Sequence, residues 1–220
     1  VDGSHVQPDP QMEKTAARRW MQDADWWQLR QAEDTPAVVI FHGLEGSSRS
    51  HYAQAIAQYF RARGWVTVIA QLRGCLGFPN RMARAYFSGD SADIGFVLDT
   101  VRERVPQGRW HAIGISLGGN AMLKYLGEQE QNAAWLLAAA AVSVPVDLVA
   151  WGRALSETRS GRHVYCRHFL RTMRPKVLDK ARRFPGTIDA LRLSQVRSLR
   201  EFDDLYTAPM HGYRNALDYW

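Results

Sequence analysis

Short, nearly continuous apolar runs alternate along this chain with longer segments in which apolar residues return every three or four positions. "TPAVVIFHG" at 35–43, "WVTVIAQ" at 65–71 and "WLLAAAAVSVP" at 135–145 are rich in aliphatic and β-branched residues, the pattern of strands buried on both faces. "RWHAIGIS" at 109–116 reads as a further strand. Between them, "SHYAQAIAQYFRARG" at 50–64 has helical spacing and a glycine stop, and "SGDSADIGFVLDTVRERV" at 88–105 predicts a helix opened by capping residues and early carboxylates. "LGGNAMLKYLGEQE" at 117–130 predicts a third helix. Near the start, "RRWMQDADWWQLRQ" at 18–31 has the aromatic content of two short strands about the turn-like "QDAD".

Strands alternating with helices at these intervals imply βαβ units, and so an α/β fold whose mostly parallel sheet carries helices on both faces. The alternation stops after the fourth strong strand. Residues 147–200 read as helical throughout, interrupted near "MRPK" and "RFPGT", which predicts a helical cap. The expected organisation is a core with an N-terminal hairpin at 1–146, a cap at 147–200, and a return to the core at 201–220.

Composition changes this picture little, and charge changes it more. With 220 residues, 46% hydrophobic and 23% charged, the chain is of ordinary globular composition. The formal net charge of +6 is unevenly placed: residues 151–200 hold 13 Lys and Arg against 3 Asp and Glu, so the rest of the chain is net acidic. A basic cap of this kind suits an anionic lipid surface or a negatively charged substrate. Nucleic acid is not expected as a partner, because the basic run lacks the interleaved aromatics of a stacking platform. Cys75 and Cys166 have no metal-ligand or disulfide-framework spacing, which fits a reducing, cytoplasmic setting. No run reaches the ~20 apolar residues of a membrane span. The opening "VDGSHVQPDPQMEK" lacks the basic start and apolar stretch of a signal peptide, and its valine start fits a processed or partial product.

Candidate chemistry centres on "GISLG", Gly114 to Gly118. This is the G-x-S-x-G nucleophile-elbow pattern, and here it ends a predicted strand and opens a predicted helix, the context the pattern needs. Side chains two residues before or after Ser116 would collide with the neighbouring strand or the turn. Ser116 is therefore the candidate nucleophile, and the backbone N–H of Leu117 a candidate oxyanion donor. A second donor is expected from the loop "HGLEGSSRSH" at 42–51, where Gly43 allows a sharp turn that aims the N–H of Leu44. His42 is expected to pack and order this loop rather than act as base, since the base follows the serine in chain order. Glu45 is open to the same loop-stapling reading.

"HGLEGSSRSHYA", "RGCLGFPNR", "SGDSADIGFVL", "GISLGGNAMLKYLGE", "KARRFPGTIDA" and "FDDLYTAPMHGY" together resemble the YheT-like family of α/β-hydrolases, a branch that includes carboxylesterases and acylglycerol lipases. The resemblance runs from about Arg19 to Trp220. It implies an α/β-hydrolase fold, Ser116 as nucleophile, Leu44 and Leu117 as oxyanion donors, and no metal or organic cofactor. It also implies an aspartate and then a histidine on two further strands, which this sequence does not reach by Trp220. Leu76 and Phe78 replace two polar residues of the family pattern. Asp147 and His211 are the substitutes present in the right chain order, while His51, His163 and His168 are weaker candidates.

The expected activity is hydrolysis of small-molecule or lipid carboxylic esters through an acyl-enzyme on Ser116, with Trp151, Tyr165, Phe169 and Leu170 shaping an acyl pocket. The alternative is an inactive α/β-hydrolase-like binding module. The oligomeric state is open.

Overall fold

The computed structural model describes residues 35–220. The hairpin expected at 18–31 lies outside the described residues. Four parallel strands form one sheet in the order β2-β1-β3-β4, with β1 at Pro36–Phe41, β2 at Val66–Ala70, β3 at Arg109–Ile115 and β4 at Ala138–Val142. The strand order is that of a sheet grown outward in both directions from β1. Register places Phe41 beside both Ala70 and Gly114, so β1, β2 and β3 end level and the loops leaving them share one edge.

Helices fill the crossovers as the spacing predicts: α1 at His51–Arg61, α2 at Ser91–Arg104 and α3 at Leu117–Gln129. Alternation decides the faces. Ala37, Val39 and Phe41 of β1 meet Ile94, Leu98 and Val101 of α2 and Ala121, Met122 and Tyr125 of α3 in one cluster. Val38 and Ile40 point to the other face and are also fully buried, where α1 packs against β1 and β2.

Several expectations need correction. β4 is exposed at every residue from Ala138 to Val142, although its apolar run reads as a buried strand. It pairs only with β3 among the described residues, so its second edge and much of both faces meet solvent. β2 is likewise half-buried except at Ala70, because it too lies at an edge of the described sheet. Asp90 precedes α2 without capping it through its side chain; its carboxylate lies 3.5 Å from Arg84 instead. Burial and the nearby Asp93 raise the Asp90 pKa.

From Leu148 onward the chain is helical, with α4 at Leu148–Glu157, a wide turn at Gly161–Cys166, and α5 at Arg167–Arg183. Shorter helices follow: α6 at Ala190–Gln195, α7 at Leu199–Phe202, α8 at Ala208–Met210 and α9 at Ala216–Tyr219. Pro175 sits inside α5, so "MRPK" does not break the helix. The tertiary contacts of the flanking turns, Leu170 and Val177 in the core, hold it through the missing hydrogen bond. "RFPGT" does end it, with Phe184 out of helical conformation and Gly186 at φ +81°. Leu155, Cys166, Leu170, Val177, Leu193, Phe202 and Tyr206 gather a second hydrophobic cluster, distinct from the one at the sheet. Cys75 and Cys166 are both buried and free.

Candidate active site

Ser116 stands where β3 turns into α3, with φ +50° and ψ −121°, a conformation unfavourable for a residue with a side chain. Its own backbone is held from two directions: Ser116 N–H donates to the Val142 carbonyl at 2.9 Å, and Asn120 N–H donates to the Ser116 carbonyl at 3.0 Å. The surrounding glycines are needed for close approach. A Cβ on Gly114 would strike Gly119, and one on Gly118 would strike the carbonyl oxygens of His42 and Phe41. The helix therefore starts directly against the end of β1.

The loop after β1 comes to the same corner. A Cβ on Gly43 would lie 3.1 Å from the Cβ of Ser116. Three successive amides of this loop have different fates. Gly43 N–H donates to the Tyr52 hydroxyl at 3.1 Å, and Glu45 N–H donates to the Tyr86 hydroxyl at 2.6 Å. Between them, Leu44 N–H has no partner among the described residues. Leu117 N–H belongs to the first turn of α3, where amides have no intrahelical carbonyl to reach.

His42 is fully buried behind this loop. Its Nε2 accepts from Leu72 N–H at 3.2 Å, which leaves Nδ1 to donate to the Gly43 carbonyl at 2.9 Å. Burial holds its pKa below the ordinary histidine value, so the ring stays neutral, as that pair of bonds requires. His42 orders the loop, as its position after a buried strand predicts. Glu45 staples it: at φ +57° its carboxylate accepts from the Tyr86 hydroxyl at 3.2 Å and pairs with Lys176 of α5 at 2.9 Å. Tyr52, Tyr86 and Lys176 thus complete the loop. Sequence reasoning missed all three, since Tyr86 and Lys176 lie 41 and 131 residues from Glu45 and no local pattern connects them.

Ser116, Leu44 and Leu117 line one cavity of about 290 Å³. Its other walls are mostly apolar and aromatic, including Tyr86, Phe87, Trp151, Tyr165, Phe169 and Trp220. Trp151, Tyr165 and Phe169 are where an acyl pocket was expected; Leu170 instead faces the helical core. Asp203 carries the one side-chain carboxyl group of this wall among the described residues. Burial pushes its carboxyl up to about 6, against the pull of bonds from Thr207 and from the Trp220 indole at 2.8 Å. A neighbouring cavity of about 320 Å³ shares Leu44, Tyr86, Met173 and Thr207 with the first, and Phe78 lines it.

No histidine lines the cavity around Ser116 among the described residues. Asp147 is exposed and caps α4 by accepting from Ala150 N–H at 2.8 Å. His211 has both ring nitrogens against carbonyls, Thr207 at 2.7 Å and Ala85 at 3.1 Å, with Phe87 against its ring face. His51 is exposed at the start of α1, and His163 and His168 are exposed in the cap. Asp147 and His211 are therefore not brought to Ser116. No group of three or more His, Cys, Asp or Glu among the described residues could hold a metal ion.

Residues 36–220 match the family described as alpha/beta hydrolase fold. The chain belongs to the alpha/beta hydrolase family. It is 41% identical over 192 residues to the candidate esterase YheT of Escherichia coli (strain K12), covering 86% of this chain and 56% of that protein. It is 31% identical to a monoacylglycerol lipase of Saccharomyces cerevisiae, covering 87% of this chain and 44% of the lipase. The chain thus spans about half the length of these relatives. An alpha-beta serine hydrolase homologue from Coxiella burnetii, solved as a structure, is 22% identical with a TM-score of 0.43, over 52% of this chain and 53% of that one. No helix of the described residues is long and apolar enough to cross a membrane.

Proposed function

We propose that this alpha/beta hydrolase cleaves carboxylic esters, short-chain acyl esters or acylglycerols, through an acyl-enzyme on Ser116. Ser116 Oγ adds to the acyl carbonyl, the N–H groups of Leu44 and Leu117 bind the oxygen that becomes negative, and the alcohol leaves with a proton. The acyl group lies among Trp151, Tyr165 and Phe169, with the helices of 147–200 as the cap over it.

The observation that carries this reading is the pattern of amides beside Ser116. Both neighbours of Leu44 N–H are committed to tyrosine hydroxyls, and the free one lies in the loop packed against the serine. Leu44 is half-buried and lines the cavity, so its unpartnered amide is open to a group bound there, and a developing oxyanion is a partner it fits. The esterase and lipase names of the relatives support the same class of reaction.

No histidine lines the cavity among the described residues, and the family resemblance assigns the base, with its acid, to positions after Trp220. An alcohol without a base is a weak nucleophile near neutral pH. The test is labelling of the 220-residue chain by a fluorophosphonate, with Ser116→Ala as control. Labelling lost in the control supports the reading. A folded chain that stays unlabelled, even when the longer protein containing it is tested in the same way, overturns it in favour of a binding module.

A further inference from the structure

The segment from the Gly161–Cys166 turn into α5 has three faces with different partners. Cys166, Leu170 and Val177 turn into the helical core. Tyr165, Phe169 and Met173, spaced by four, line the cavity that holds Ser116. Val164, Arg167, His168 and Arg171 point outward and are exposed. The first two faces explain why this segment is helical and where it sits. The third is not explained by packing.

Its chemistry is unusual in two respects. Residues 158–178 hold six Arg and Lys and no Asp or Glu. Some basic side chains are matched, as Lys176 is by Glu45, Arg183 by Asp179 and Arg214 by Asp218. Arg159, Arg167 and Arg171 have no carboxylate within ion-pair distance among the described residues. Amid these charges, Val164 is 59% exposed and Tyr165 is 54% exposed. An apolar tip ringed by unmatched arginines faces water at the rim of a cavity suited to an apolar ester.

We propose that this face docks on an anionic lipid bilayer, with Arg159, Arg167 and Arg171 at the headgroups and Val164 and Tyr165 in the interfacial layer. Charge complementarity selects an anionic surface. The apolar tip selects lipid over nucleic acid, whose phosphates would engage the arginines and leave Val164 in water. Tyr165 is amphipathic, with an apolar ring and a polar hydroxyl suited to that layer. Since Tyr165 also forms the cavity wall, docking would set the cavity rim at the membrane surface. The proposal concerns binding, and it stands or falls independently of the reactivity of Ser116.

The test is co-sedimentation of the 220-residue chain with unilamellar vesicles of phosphatidylcholine alone or with 30% phosphatidylglycerol, at low and at 0.5 M salt. Binding is expected only to the anionic vesicles and is expected to weaken in salt. Each surface arginine contributes roughly fivefold, so Arg167→Ser with Arg171→Ser should cost on the order of 25-fold in vesicle affinity. Val164→Ser should cost roughly three- to tenfold, and that loss should persist in high salt because it is not electrostatic. These side chains are exposed, and an unchanged thermal melt confirms that each variant folds. Equal binding to neutral vesicles, no binding to anionic ones, or full affinity in the double arginine variant overturns the proposal. So does loss through the arginines alone combined with tighter binding to duplex DNA than to the vesicles, which would assign the face to nucleic acid.

Discussion

β1 and β4 are both short aliphatic strands of one parallel sheet, yet their surroundings are opposite. Ala37 to Phe41 of β1 are at most 1% exposed, while every residue of β4 is exposed and Val142 is 43% exposed. β1 has a strand on each side and helices on both faces; β4 has only β3 among the described residues. The difference continues into the loops. β1 runs into His42, sealed and hydrogen-bonded at both nitrogens, and β4 runs into Ser143, exposed at φ +51°. An apolar run states that burial would be favourable; what covers it is decided by neighbours elsewhere in the chain. The candidate site is built at the β1 end of this range, where the most neighbours converge.

The sharpest way to break the comparison is truncation in each strand. Ile40→Ala removes a fully buried side chain from β1 and should cost about 2–5 kcal/mol in urea unfolding. Val142→Ala in β4 should cost less than about 0.5 kcal/mol. Equal losses would mean that β4 is buried in solution by something outside the described residues, and that the two strands differ less than they look.

Glycine substitutions sharpen it at the corner. Gly118→Ala forces a Cβ against the backbone at the end of β1 and should cost about 1–3 kcal/mol, with Ser116 displaced and fluorophosphonate labelling reduced. Gly127→Ala lies in the same helix with nothing within 4 Å, and should stabilise by about 0.5–1 kcal/mol through helix propensity. A neutral result at Gly118 would show that the β1–α3 junction is looser than its contacts imply.

The smallest expected effect is that of pH on the sealed end of β1. Folded His42 resists protonation, so below about pH 6.5 the unfolded chain binds more protons at this site and stability falls as pH drops. The slope cannot exceed about 1.4 kcal/mol per pH unit for one group. Asp203 acts in the opposite direction: its carboxyl, pushed up to about 6 from 3.8, keeps its proton in the folded state only below about pH 6, so its contribution falls as pH rises toward 6 and is constant above it. The reading is therefore the difference between wild type and His42→Gln, measured by urea unfolding from pH 5 to 8. A difference independent of pH would mean that His42 is not sealed.

Much of the site was legible locally, because its geometry is local. Gly114, Ser116 and Gly118 announce a strand-to-helix corner, and the collisions a Cβ would cause at each glycine explain why these residues are small. His42 and Glu45 were legible as loop-ordering residues from their place after a buried strand. What holds Glu45 was not legible: Tyr86 comes from the loop before α2 and Lys176 from α5, and their contact is a product of packing. Pro175 misled for the same reason. Its propensity is to break a helix, but the tertiary contacts of Leu170 and Val177 hold the turns on either side.

By itself, the sequence determined the order of strands and helices, the parallel sheet, the serine on its corner and the concentration of positive charge after residue 150. Each of these rests on periodicity, chain stiffness or composition, which act between residues close in sequence. Only the tertiary structure decided which apolar strands are covered, which amide beside Ser116 is left without a partner, and which face of α5 meets the cavity and which meets water. Those outcomes depend on contacts between residues up to 131 positions apart, where packing selects among arrangements that the local pattern leaves equally open.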